Sequence, residues 1–118
     1  MTELCFKDAR DLARMIRSRE VSAAEVMTAC LAQIDLANPE VNAICTFVGE
    51  EASLRAAREA DERLMKGAAL GPLHGLPVAV KDLALTAGLR TTFGSLVPGD
   101  RGGIVVKGMR SRAPLEAE

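Results

Sequence analysis

At 118 residues the chain has room for one modest core and at most one domain. Hydrophobic residues make up 48% and charged residues 26%, a balance that excludes a disordered chain. Fifteen basic and sixteen acidic residues are well mixed, there is no Trp or Tyr, and only three Phe occur, so general binding to nucleic acid or to a membrane surface has neither charge nor stacking platforms behind it.

The N-terminus, Met1 to Asp8, carries no charged-then-apolar leader, and no apolar run reaches membrane-spanning length. A soluble, cytoplasmic chain without membrane contact is expected. Cys5, Cys30 and Cys45 are odd in number and contain no Cys-x-x-Cys pair, which predicts reduced, partly buried thiols.

In chain order, Asp8 is placed to cap a helix through about Arg19, with Ala9, Leu12, Ala13 and Ile16 on one face and Arg14, Arg17 and Arg19 in its last turns. Ser22-Ala23-Ala24-Glu25 reads as a capping box opening a second helix. Its apolar stripe is Met27, Cys30, Leu31 and Ile34, and Asn38-Pro39 is expected to end it. Asn42 to Val48, short and apolar, predicts a strand. Glu50 to Lys66 is rich in good helix formers, has a narrow apolar side (Ala57, Ala60, Leu64), and is closed by Gly67.

Gly71 to Gly75 is a Gly- and Pro-bearing connector. Leu76 to Asp82 predicts a second strand whose apolar character fits cover on both faces. Too few strands remain to flank it, which predicts open edges and imperfect folding in isolation. Beyond Asp82 the chain reads as loop, apart from Ile104-Val105-Val106, which can begin another element. The succession helix, helix, strand, helix, strand indicates an α/β class. The expected organisation is a single unit over 1–118: about 1–70 helical with one strand, 71–98 the lysine-bearing strand and loop, and 99–118 a poorly ordered tail.

The residue with the strongest chemical potential is Lys81. Alternation places Leu76, Val78 and Val80 on one strand face and Pro77, Ala79 and Lys81 on the other, with space beside small Ala79. At such a strand end a lysine can sit half buried. An ordinary lysine titrates near ~10.4, so service as a base near neutral pH needs a large downward shift of the kind desolvation produces. Taken alone, Lys81-Asp82 also reads as a solvated strand end.

Context decides between these readings. Gly71-Pro72-Leu73-His74-Gly75-Leu76-Pro77-Val78-Ala79-Val80-Lys81-Asp82, followed by Gly88, Thr91-Thr92 and Gly94-Ser95, resembles the lysine-bearing segment of the amidase signature family. The preceding helices resemble that family's N-terminal region, and the likeness covers roughly residues 6–98. It implies the N-terminal part of an α/β/α fold with a mixed sheet flanked by helices, incomplete over these residues. It also implies that Lys81 is the base of a Ser-Ser-Lys triad that hydrolyses or transfers amides. In such a triad the lysine draws a proton through a bridging serine from a nucleophilic serine, since a serine hydroxyl is weak without an adjacent base. The tetrahedral oxyanion needs backbone donors, which the family takes from a Gly- and Ser-rich loop.

No segment of that Gly-Gly-Ser-Ser-Gly-Gly kind occurs in the 118 residues, so both serines of the triad are absent from them. Ile104 to Arg110 still resembles the family's next helix, and Ser111 to Glu118 does not continue it. An early stop, a frameshifted end or a gene fragment would give this pattern. The implied partner is a small-molecule amide, with no nucleic acid and no cofactor expected. An inactive remnant, and the A-type component of a tRNA-dependent amidotransferase, stand as alternatives because they share the motif.

Other candidates carry less. Ser95 as a nucleophile in a local dyad with Lys81 would also need an oxyanion hole, and its Gly-Ser context suits a turn. His74, the only histidine, reads as a structural loop residue and gives no metal cluster. Gly99-Asp100-Arg101-Gly102-Gly103 lacks the Gly-Lys-Ser/Thr of a phosphate loop. Glu59, Asp61 and Glu62 read as a solvated charged face.

Overall fold

In the computed structural model, residues 2–44, 46–81 and 105–108 are described, the last four as backbone. A 3-10 helix over Thr2–Phe6 leads into α1 (Ala9–Arg17), α2 (Ala23–Val41), α3 (Glu50–Met65), β1 (Pro77–Val80) and β2 (Val105–Gly108).

The helix starts follow the expected chemistry. Asp8 accepts from the Arg10 amide at 2.8 Å. Ser22 and Glu25 form the reciprocal capping box, with bonds of 3.0 and 2.7 Å. The ends of α1 and α3 share one device. Arg19 (φ 62°) and Gly67 (φ 70°) adopt positive φ, and paired bonds from Arg19 to Ile16 and Glu20 to Met15, and from Gly67 to Leu64 and Ala68 to Arg63, close each last turn. α1 therefore stops two residues earlier than its charge pattern suggests.

Two expectations fail at the end of α2. The helix continues through Pro39 to Val41 and is capped by Asn42 in the left-handed conformation, whose amide donates to Asn38 at 2.7 Å. The strand predicted over 42–48 is absent at the described positions 42–44 and 46–48. The Asn38 side chain explains the loss: its carbonyl accepts from the Ile44 amide at 2.9 Å and its amide donates to the Ile44 carbonyl at 3.3 Å. Both backbone groups that a strand ladder would use are thereby taken.

α2 is the central element and buries two sides. Ala23, Met27 and Leu31 meet Ala57 and Ala60 of α3, with Ile34, Ile44 and Leu54 around them. Val26 joins Leu12, Ile16, Val21 and Leu76 in a second cluster, flanked by Leu4, Cys30 and Leu64. The second cluster is only partly visible as a sequence stripe, because Val26 lies off the Met27–Ile34 face. The small residues Ala23, Ala57 and Ala60 lie in the buried cluster between α2 and α3.

β1 and β2 pair antiparallel, with Pro77 opposite Gly108, Val78 opposite Lys107, Ala79 opposite Val106 and Val80 opposite Val105. Thus 105–108 is a strand where family likeness suggested a helix. Two consecutive valines favour extended backbone, and pairing satisfies edge groups of β1 that would otherwise be orphaned. The α/β expectation is met in part: the described residues are mostly helical with one two-stranded pair, and they hold no mixed sheet. Nor is β1 covered on both faces. Leu76 is buried and Val78 and Val80 are half-buried, while Ala79 and Lys81 are exposed.

Candidate active-site segment

The segment from Gly71 to Lys81 is fastened to the helical layer at four points before it becomes β1. An Arg17 guanidinium N–H on α1 donates to the Gly71 carbonyl at 2.8 Å. Two turn bonds follow, from the His74 amide to Gly71 and from the Leu76 amide to Leu73, each 3.2 Å. The His74 side chain is 4% exposed, and its Nε2 lies 2.8 Å from the Ala60 carbonyl of α3. With a carbonyl as partner, Nε2 carries the proton and donates. Nδ1 is buried and has no hydrogen-bond partner among the described residues.

Gly75 comes next, at φ 83°. A side chain there would begin 3.2 Å from both Ala23 Cβ and Ile16 Cγ2, in the floor between α1 and α2. A residue with no Cβ is therefore required twice over, by backbone conformation and by contact. Leu76 then enters the cluster with Leu12, Ile16, Val21 and Val26. The chain thus reaches β1 with its position set by a guanidinium, an imidazole, a glycine and a leucine.

Lys81 follows β1 and is exposed. The half-buried setting allowed by the sequence is not formed among the described residues, where Ala79 and Lys81 are both exposed. A cavity of about 320 Å³ is lined by Ala56, Glu59, Ala60, Glu62, Arg63, Lys66 and His74. A second, of about 290 Å³, is lined by Cys5, Phe6, Cys30, Gln33, Ile34, Ile44 and Pro77 to Ala79. Lys81 lines neither. Among the described residues no three His, Cys, Asp or Glu side chains cluster to hold a metal, and no helix is long and apolar enough to cross a membrane. Ser95 and Gly99 to Gly103 lie outside the described residues.

His74 takes the structural place that its Gly-Pro setting suggests. Asp61 does not stay on a solvated face. Its two carboxylate oxygens accept from the Ala23 and Ala24 amides at 2.7 and 3.1 Å, so an α3 side chain caps the start of α2. Nothing local distinguishes Asp61 from Glu59 or Glu62, since its partners lie 37 and 38 residues away.

The family model described as Amidase matches residues 25–101. The chain is 41% identical over 95 residues to the A-type component of glutamyl-tRNA(Gln) amidotransferase from Carboxydothermus hydrogenoformans, covering 80% of this chain and 19% of that protein. It is 45% identical over 97 residues to the protein of the same name from Acidothermus cellulolyticus, covering 82% and 19%. The chain therefore spans about a fifth of the length of these curated relatives. The crystal structure of PAM12A superposes with a TM-score of 0.72 at 26% identity, over 91% of this chain and 25% of that one.

Proposed function

Since the chain belongs to the amidase family, we propose that it forms the lysine-bearing N-terminal part of an amide-cleaving or amide-transferring catalytic domain, with Lys81 as the triad base. The observation that carries this reading is the segment Gly71 to Lys81. It lies inside the family match and is held to α1, α2 and α3 so that the lysine emerges from a fixed strand. A lysine acts as a base only as the neutral amine, and burial favours that form. The exposure of Ala79 and Lys81 leaves space for the remaining four-fifths of such a domain to cover them. We take that complete domain to have the α/β/α form, with the strands missing here supplied by the rest.

In the proposed reaction, the Lys81 amine takes a proton from a bridging serine, which takes one from the nucleophilic serine. Attack on the amide carbonyl gives a tetrahedral oxyanion, the nitrogen leaves with a proton, and the acyl-enzyme passes to water or another acceptor. The relatives named as glutamyl-tRNA(Gln) amidotransferase components, 39–45% identical over most of this chain, favour the amide-transferring form. A small amide is then the nitrogen source, and the other components of such an amidotransferase are the partners.

The test is complementation. A polypeptide carrying the rest of an amidase domain, with its Gly- and Ser-rich segment, is mixed with the 118-residue chain and assayed for ammonia release from a small amide. Activity is expected only from the mixture and is expected to vanish with Lys81→Ala. A mixture that turns over equally well with Lys81→Ala would remove Lys81 from the mechanism.

A further inference from the structure

Two of the three cysteines line one cavity, at a place the proposed amidase chemistry does not use. Cys5 lies on the N-terminal 3-10 helix, which packs along α2, and Cys30 lies in the middle of α2. Both line the open cavity of about 290 Å³ together with Phe6, Ile34, Ile44 and the start of β1. Each thiol is partly buried and neither is in a disulfide. The Cys30 thiol is pushed above its ordinary value first by burial and then by the neighbouring Cys5 charge. The cavity walls are mainly apolar, which suits a neutral thiol or a disulfide better than a thiolate or a metal ion.

We propose that Cys5 and Cys30 form a thiol–disulfide exchange site, which a small-molecule disulfide such as oxidised glutathione converts to an intramolecular disulfide. The Cys5 thiolate attacks one sulfur of the external disulfide, forming a mixed disulfide and expelling one thiolate. Cys30 then loses its proton to solvent base and attacks the Cys5 sulfur, expelling the second thiolate. Two protein thiols are oxidised and one disulfide is reduced to two thiols, so electrons and atoms balance. Cys5 acts first because burial keeps Cys30 protonated, and a thiol is a poor nucleophile. The new bond ties the 3-10 helix to α2. The proposal is independent of the amidase reading, since Lys81 does not line this cavity.

The experiment treats the 118-residue chain under native conditions with excess oxidised glutathione at pH 8, traps remaining thiols by alkylation and maps the peptides by mass spectrometry. The expected result is a Cys5–Cys30 cross-linked peptide, loss of two alkylatable thiols, and no lasting glutathione on Cys5. Cys45→Ser is expected to give the same linkage, and Cys30→Ser to leave glutathione trapped on Cys5. The oxidised chain should also unfold at a higher temperature than the reduced one. Pairing of either residue with Cys45, a lasting adduct on Cys5 with Cys30 still alkylatable, or retention of all three thiols would each overturn the proposal.

Discussion

Gly75→Ala tests how tightly the lysine segment is set into the helical layer. The new methyl group would sit 3.2 Å from Ala23 Cβ and Ile16 Cγ2 and 3.3 Å from Ile16 Cδ1. Ala23 and Ile16 are 0% and 1% exposed, so neither can swing aside into solvent. Backbone strain at φ 83° costs about 1–2 kcal/mol, and forcing a methyl into a filled site adds about 1–3 kcal/mol. The sum is about 2–5 kcal/mol, which for a domain of this size lowers the unfolding midpoint by roughly 10 °C or more. Gly67→Ala is the internal control. Gly67 has nearly the same φ, 70°, and nothing stands within 4 Å of the position of its added Cβ. It should therefore cost only the strain, about 1–2 kcal/mol. Urea denaturation followed by circular dichroism measures both. Equal losses for the two variants would refute the close approach of Gly75 to Ile16 and Ala23.

Asp61→Ala should cost about 2 kcal/mol in the same assay, because it strips two amides at the start of α2 of a charged acceptor and Ala23 is buried; Asp61→Asn should lose less. His74→Ala should cost about 2–4 kcal/mol by leaving a cavity and removing the side-chain bond to the Ala60 carbonyl. His74→Leu should lose less, since it refills the volume and removes the unpartnered Nδ1. Lys81→Ala should change stability by less than about 0.5 kcal/mol, as an exposed residue, and the 118 residues alone should release no ammonia from a simple amide. Cys30, raised by burial and then by Cys5, holds its proton more tightly folded than unfolded. Its contribution to stability is therefore fully present below the unfolded thiol value and is lost as pH climbs through the higher folded value. Alkylation rates against pH, compared between native and urea-unfolded chain, should show the later native rise.

The local signals proved the most legible. Asp8, the Ser22–Glu25 box and Gly67 act through partners within a few residues, so sequence suffices to place α1, α2 and α3 to within a turn. The strand forecast over 42–48 failed because Asn38 occupies both backbone groups of Ile44. That competition depends on a side-chain choice that apolar periodicity does not encode. The amidase likeness of Gly71 to Asp82 was also plain in the sequence and is matched by the family comparison.

The order of residues is enough to set the three helices, the family and the identity of the one candidate base, because those properties rest on short-range backbone chemistry and on a dense motif. Other features exist only once the helices have packed: Asp61 caps a helix 37 residues upstream, His74 holds Ala60, Gly75 has no room for a side chain, and Lys81 is left exposed just after β1. Each of these depends on which distant backbone group arrives beside a given side chain, and that is set by how α2 packs on both of its sides.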